Sequence, residues 1–361
     1  MVRNSFLLSA YFVFILLVIS FLSLVLSPKI IWIPAFLGLG FPYIFFIFLI
    51  FYTLLLLRGK KKLILIFLPF LLYGVYLSNR FYHPGFFNSS APETGTVKVL
   101  SYNVRLFDLY NWKGNHKNKK HIFNFLAKEK ADIVCFQEYY YQNDGKFETT
   151  NALKKLLPSK NVHQVFSVIN KERYYFGIAT FSKYPIVNTG KVTLEGTTNM
   201  CIFTDVLIWD DTVRIYNNHL ESIRLGYEDY KFIDKIDLDV NKTEVDDTKN
   251  ILRRLKRAYG KRATQADEIS KHIADCPYPV IVCGDFNDTP VSYSYQTISK
   301  GLKDSYCEAG KGFGKTYNGK LPMLRIDYIF HSKNLKAYDF RIPDVDLSDH
   351  FPVVCHLGKN E

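Results

Sequence analysis

Six apolar stretches of this chain each end, or break, on side chains that bind metal ions or move protons. The run 97–102 stops at Asn103, 131–136 at Gln137-Glu138, and 212–216 at Asn217-Asn218-His219. The run 279–283 leads into Gly284, Asp285, Phe286, Asn287, Asp288, Thr289 and Pro290. Arg325-Ile326 precedes Asp327, and Ser348-Asp349-His350 precedes the apolar 351–354. Apolar, β-branched runs bounded by Gly, Asn, Asp and Pro read as buried strands leaving a sheet through turns. One polar residue at a strand end is ordinary turn chemistry. Six together supply carboxylate and amide oxygens, the hard ligands of a divalent cation, and two imidazoles that titrate near neutrality. That set suits metal-assisted attack on a phosphate ester, whose anionic oxygens repel a nucleophile and whose leaving oxygen accumulates charge.

For these ends to converge, their strands must be neighbours in a layered structure. Residues 105–116 are aromatic, polar and glycine-containing, a loop, and 117–130 carry Ile122, Phe125 and Leu126 at helical spacing. Strand, loop, helix and strand in succession predict a layered α/β domain. Residues 174–186 read as a further strand and its turn. The stretch 224–247 is the least regular, and 248–273 reads as mainly helical; its Arg253, Arg254, Lys256, Arg257, Lys261 and Arg262 read as a solvated face, or, since the segment follows the His219 strand end, as part of the wall of a substrate cleft through Arg253, Arg254 and Arg257.

The ordered set SYNV (101–104), FQE (136–138), NNHLES (217–222), GDFNDTP (284–290), RIDYIF (325–330) and SDHFPV (348–353) resembles the endonuclease/exonuclease/phosphatase superfamily. That superfamily includes pancreatic-type deoxyribonuclease, abasic-site endonucleases, inositol-phosphate 5-phosphatases and bacterial sphingomyelinases. The match spans about 96–358, with every motif in the family's order, and Gly177, Ala179, Ser182 and Pro185 fit its mid-sheet element. The resemblance implies a four-layered α/β sandwich, two packed β-sheets flanked by helices, and a Mg²⁺-dependent (or Mn²⁺-dependent) phosphoesterase. It further implies Glu138 as first metal ligand, with Asn103 arranging the metal site and Asp349 supporting the metal or its waters. Asp285 would position or activate the attacking water, Asn287 and Asn103 would hold substrate, and His350 would act on the phosphate with Asp327 setting its tautomer. His219 would supply a hydrogen bond or proton from the other side. Abasic-site enzymes usually carry a tyrosine near the His219 position, which disfavours that subgroup. The substrate is then a nucleic acid, a phospholipid headgroup or a small molecule, with no obligate protein partner implied. The alternative is a non-catalytic membrane protein that keeps the fold as a binding module.

The 361 residues carry a formal net charge of +12, but residues 1–89 hold seven Lys/Arg and no acid, leaving 39 basic against 34 acidic residues in the remainder. Much of the excess therefore flanks apolar sequence and does not specify a polyanionic partner. Residues 5–27 and 30–57 are apolar runs long enough to cross a bilayer and 63–78 is a shorter third, read together as three membrane helices, and Pro42 marks the second as a candidate kinked or re-entrant segment. The expected organisation is a membrane region at 1–80, a linker at 81–95 and a catalytic domain at 96–361. Arg3 and the cluster Arg58, Lys60, Lys61 and Lys62 should stay cytoplasmic. Three crossings then place the catalytic domain outside the cytoplasmic membrane of a bacterium. The six cysteines show no CxxC pair, and Cys135, Cys283 and Cys355 sit in strand-like runs, which reads as buried thiols. A reporter fused after Glu361 that requires export is expected to be active; cytoplasmic behaviour would remove this topology.

Overall fold

The computed structural model describes residues 2–85, 92, 94–114, 117–223, 242–319, 321 and 323–360. The chain groups into two compact units: Met1–Arg80 with Glu221–Asp267 and Asp288–Thr297, and Phe81–Leu220 with Glu268–Asn287 and Ile298–Glu361. Two segments from the expected catalytic stretch thus group with the apolar N-terminal helices. Tyr227, Tyr230, Phe232 and Ile236, in the stretch read as irregular, lie outside the described residues.

Among the described residues the second unit contains fourteen strands, β1 (Tyr82–His83), β2 (Thr96–Asn103), β3 (Ile133–Gln142), β4 (Asn161–Asn170), β5 (Tyr174–Ser182), β6 (Ile186–Val192) and β7 (Met200–Ile208), then β8 (Asp211–His219), β9 (Val280–Asp285), β10 (Leu302–Asp304), β11 (Gly312–Phe313), β12 (Asp327–Ser332), β13 (Leu335–Arg341) and β14 (Val353–Lys359). Twelve of them build two six-stranded sheets, ordered β10-β12-β9-β8-β7-β6 and β13-β14-β2-β3-β5-β4. The short β1 pairs with β11, so the start of the expected linker is a strand.

Period-two alternation decides which side chains meet between the sheets. Val97 and Val99, Ile133 and Cys135, Val213 and Ile215, and Ile281 and Cys283 form one buried apolar cluster with Ile329 and Cys355. The intervening Leu100, Tyr102, Val134 and Phe136 face outward against the helices Asn118–Glu129 and Thr149–Leu156 through Ile122, Leu126 and Leu153. On the other sheet, Tyr216 Oη lies 2.8 Å from His272 Nδ1 in the helix Lys242–Ala274. The result is a mixed α/β unit, two packed sheets with helices on their outer faces.

Followed to the strand ends, the inward positions turn polar: Ser101 and Asn103 on β2, Gln137 on β3, Asn217 and His219 on β8, Asp285 on β9. The pairs β2/β3 and β8/β9 are parallel, so each delivers its polar ends to one edge. Beneath that edge, Gln137 Nε2 donates to Asn217 Oδ1 at 2.7 Å, and Asn217 Nδ2 donates to the Ala179 carbonyl at 3.0 Å. This amide pair bridges the sheets where the apolar core stops.

In the first unit, Val2–Leu22 and Lys61–Ser78 are long and apolar enough to cross a membrane. The second expected span is broken: Ile33–Leu39 and Phe41–Leu57 meet at a 75° bend. Pro42 lies in the first turn of the second helix, where a missing N–H costs nothing, and its ring bars continuation of the first. Within Lys242–Ala274, Arg253, Arg254 and Arg257 are exposed as expected, but Arg262 is buried with its Nε 3.2 Å from Asp288 Oδ2. The solvated-face reading fails for Arg262 because its turn of the helix is covered by Glu221 and the 288–297 segment, all in this unit.

Asn217→Ala is expected to cost about 1–3 kcal/mol in chemical denaturation, because it strands buried polar groups. The double variant Gln137→Ala/Asn217→Ala should lose less than the sum of the single changes.

Candidate active site

Strand register aligns the site. His219, Asp285 and Asp327 occupy one row across β8, β9 and β12, while Asn103 pairs with Gln137 across β2 and β3. The facing rows meet where Asn103 Nδ2 donates to Asp285 Oδ2 at 3.0 Å and to Glu138 Oε1 at 3.3 Å. His350 Nε2 is 3.6 Å from Asp285 Oδ2, and its Nδ1 is 3.0 Å from Asp327 Oδ2. His219 Nε2 stands 3.8 Å from both Glu138 Oε1 and Asp285 Oδ2. Asn287 Nδ2 donates to Asp285 Oδ2 at 3.2 Å, and its backbone N–H to Oδ1 at 2.8 Å. Seven expected residues, Asn103, Glu138, His219, Asp285, Asn287, Asp327 and His350, therefore form one connected cluster. Asp349, the eighth, turns its carboxylate to Arg105, with Oδ2 3.2 Å from Nε.

The backbone is strained where side chains must be aimed. Glu138 has φ 48° at a register shift between β3 and β5, a bulge that turns its carboxylate out of the strand alternation. Asn287 has φ 52°. Gly284 has φ 139°, and a Cβ there would lie 2.0 Å from the Asn218 carbonyl oxygen, so only glycine lets β9 close on β8 directly before Asp285. Residues 105–108 all have φ between 44° and 58°, a left-handed turn costing about 1–2 kcal/mol per residue. Phe107 holds that turn by its burial against Phe136 and Tyr139, and Arg105 N–H donates to Asn103 Oδ1 at 3.1 Å.

Charge is concentrated here. Burial lifts the Asp285 carboxyl, His350 pulls it down and Asp327 pushes it up, leaving it at about 6. Burial alone would lower His350, but Asp327 and Asp285 outweigh it and raise the imidazole well above its ordinary value. Burial and the charge of Asp349 raise Glu138 despite His350 and Asn103. The arrangement is a buried imidazole biased toward its protonated form between Asp285 and Asp327, with the Glu138 side chain, 35% exposed, beside it.

That donor set fits a divalent cation: hard carboxylate oxygens in excess, one of them accessible. Among the described residues, Asp285, Asp327 and His350 offer ligand atoms within 4.8 Å of one another. The expected ligands Glu138 and Asn103 adjoin this triplet through the Asn103 bridge to Asp285.

A profile described as Endonuclease/Exonuclease/phosphatase family matches residues 100–350. The chain belongs to that family. It is thereby a hydrolase of phosphate ester bonds. A second profile, described as a domain of unknown function, matches residues 3–81. No curated protein matches the chain. Among solved structures, the endonuclease/exonuclease/phosphatase from Bacteroides vulgatus is 19% identical with a TM-score of 0.55, over 74% of this chain and 100% of that one. A mannosyl-6-phosphatase of Bacteroides thetaiotaomicron is 19% identical with a TM-score of 0.51, over 72% of this chain and 99% of that one. The human Nocturnin catalytic domain with bound sulfate is 19% identical with a TM-score of 0.52, over 77% and 98%. Such likeness establishes the shared fold.

Sequence reasoning passed over Arg105, the Gln137–Asn217 pair and Ser348, whose Oγ donates to the Asn103 carbonyl at 2.8 Å. Arg105 stood two residues past Asn103 and was legible as a basic group in the first motif's loop. A cavity of about 300 Å³ also escaped it; Ser167, Lys191, Thr197 and Asn199 help line it, and Asn199 Nδ2 donates to the carbonyl of Leu220, next to His219.

Asp327→Asn removes the charge that most raises His350, so the imidazole should titrate at lower pH. Ring-proton NMR of His350 in the wild type and the variant checks the direction, and an unmoved midpoint would refute the pairing.

Proposed function

We propose that the chain is a membrane-anchored, divalent-metal-dependent phosphoesterase that hydrolyses phosphodiester or phosphomonoester bonds by in-line attack of water. The observation that carries this reading is the buried Asp285–His350–Asp327 relay, with Asn103 joining it to the accessible carboxylate of Glu138. Asp285, with a carboxyl near 6, is mostly ionised at neutral pH and accepts a proton from the attacking water. Asn287 and Asn103 restrain its carboxylate, and each would turn one amide N–H from its present acceptor, the Leu220 carbonyl for Asn287 and Glu138 Oε1 for Asn103, to a non-bridging phosphate oxygen. His350, kept protonated by Asp327 and Asp285, stabilises the charge that develops on phosphorus-bound oxygen. His219 stands on the opposite flank of Asp285, placed to donate to the phosphate or the leaving oxygen. Glu138, steadied by Asn103, would hold the cation, Mg²⁺ or Mn²⁺, with Asp349 supporting the metal or its waters, and the bound cation would offset the charge of the phosphate and the leaving group. The phosphorus–water oxygen bond forms as the phosphorus–leaving-oxygen bond breaks.

The apolar helices Val2–Leu22 and Lys61–Ser78 support an anchor, and the basic 58–62 cluster supports an extracytoplasmic catalytic unit in a bacterial membrane. In domain terms, the membrane region spans 1–80 and the catalytic domain begins near residue 96. The related folds include a mannosyl-6-phosphatase and one with a bound sulfate, a tetrahedral anion like phosphate.

Purified full-length protein should hydrolyse a member of a panel of DNA, RNA, sphingomyelin, phosphoinositides and sugar phosphates with Mg²⁺ or Mn²⁺, and lose activity in EDTA. The raised Asp285 carboxyl sets the sign of the pH dependence: its protonated form gains as pH falls, so kcat/KM should drop through about pH 6. Asp285→Asn should lower kcat by roughly 10²–10⁴ and abolish that acid limb. No turnover of any ester, with the fold and metal binding intact, would overturn the proposal.

A further inference from the structure

The left-handed turn at 105–108 displays two exposed rings that the proposed chemistry does not use. Tyr110 is 63% and Trp112 43% exposed, far above what their apolar surface favours. They meet edge-on, with centroids 5.0 Å apart and planes at 75°. The Arg105 guanidinium lies 4.4 Å from the centre of the Trp112 ring, and its Nε is 3.2 Å from Asp349 Oδ2, the residue before His350. Arg105 thus links Trp112 to Asp349, the chain neighbour of His350. The loop is also pinned: Lys113 ion-pairs with Asp346, its N–H donates to Asp108 Oδ1 at 3.4 Å, and Asn111 keeps φ 56°. A backbone held in this costly form by a buried phenylalanine and ion pairs presents its side chains in a prepared geometry.

We infer that Tyr110 and Trp112 form a corner that stacks a ring carried by the substrate, so the preferred substrate is a phosphate ester of a ring-bearing alcohol, a nucleoside or a hexose. Two nearly perpendicular aromatic surfaces beside a guanidinium suit that chemistry: the flat face of a base or the C–H face of a sugar lies on one ring and its edge meets the other. Arg105, ion-paired to Asp349 and stacked on Trp112, would offer its guanidinium to an anionic oxygen of the same ligand. This inference relies on the phosphoesterase reading only for where the phosphate sits, and its test requires no turnover.

Binding is measured by calorimetry on the full-length chain in detergent, in the Asp285→Asn background so that ligands survive. A nucleoside 5′-monophosphate, a hexose 6-phosphate and ringless glycerol 3-phosphate are compared. The expectation is that at least one ring-bearing ligand binds roughly tenfold more tightly than glycerol 3-phosphate. Trp112→Ala should abolish that preference while weakening glycerol 3-phosphate, which feels only the change around Arg105, far less than the ring-bearing ligand, and Trp112→Phe, which keeps a ring, should restore most of the preference. Which ring is preferred identifies the base or the sugar as the source. The inference is overturned if no ring preference exists, if Trp112→Ala leaves it intact, or if Trp112→Ala weakens all three ligands equally. Failed turnover by the wild type in the separate assay, with the ring preference present, would count against the phosphoesterase reading alone.

Discussion

The structure depends on keeping charge where water cannot reach it. Asp285 and Asp327 are almost fully buried and His350 nearly so, and an isolated ion in that position would neutralise itself or destabilise the fold. Their mutual arrangement prevents this: one imidazole is shared by two carboxyl groups, the side chains of Asn103 and Asn287 donate to the same Asp285 Oδ2 that His350 faces, and the Asn287 backbone N–H donates to its Oδ1. The arrangement exists because β9 and β12 pair Asp285 with Asp327 in register and His350 bridges to Tyr317 at the edge of the same site. A slip of one residue in either strand would turn a carboxylate into the outer layer.

Below this charged edge, polarity declines in steps. The Gln137–Asn217 amide pair spans the sheets, and below it comes a core of valine, isoleucine and cysteine. The six cysteines are free thiols, and Cys135, Cys283 and Cys355 serve in that core as small apolar groups. The step order lets the lower sandwich stay dry while the upper edge accepts ions, since buried amides tolerate a low dielectric only when paired.

Strain marks the same edge from another direction. Glu138, Asn287 and residues 105–108 all adopt positive φ, and each adjoins a residue of the cluster or belongs to it. Elsewhere in the two sheets every described non-glycine residue but Asp339, at a register shift in β13, keeps a negative φ, because side chains need only alternate. At the edge a carboxylate or guanidinium must leave that alternation, and the backbone bends to allow it.

Much of this was legible in the chain. Period-two runs such as 97–102 and 279–283 carried their own strand assignment, and their polar terminators carried the chemistry, because both depend on local side-chain order. The apolar lengths at 5–27 and 63–78 likewise announced helices of spanning length, while Pro42 announced the break in the helix between them. Arg262 was misread as solvated, since a basic residue on a helix cannot report what will cover it. Local sequence alone determined which groups are offered at strand ends and in which alternating direction they point. Only the tertiary structure decided that Asp285 answers to Asp327 and His350, that Asp349 turns to Arg105, and that Tyr110 and Trp112 stay uncovered. Those outcomes depend on pairing partners tens to hundreds of residues away, and no local pattern encodes the register in which distant strands meet.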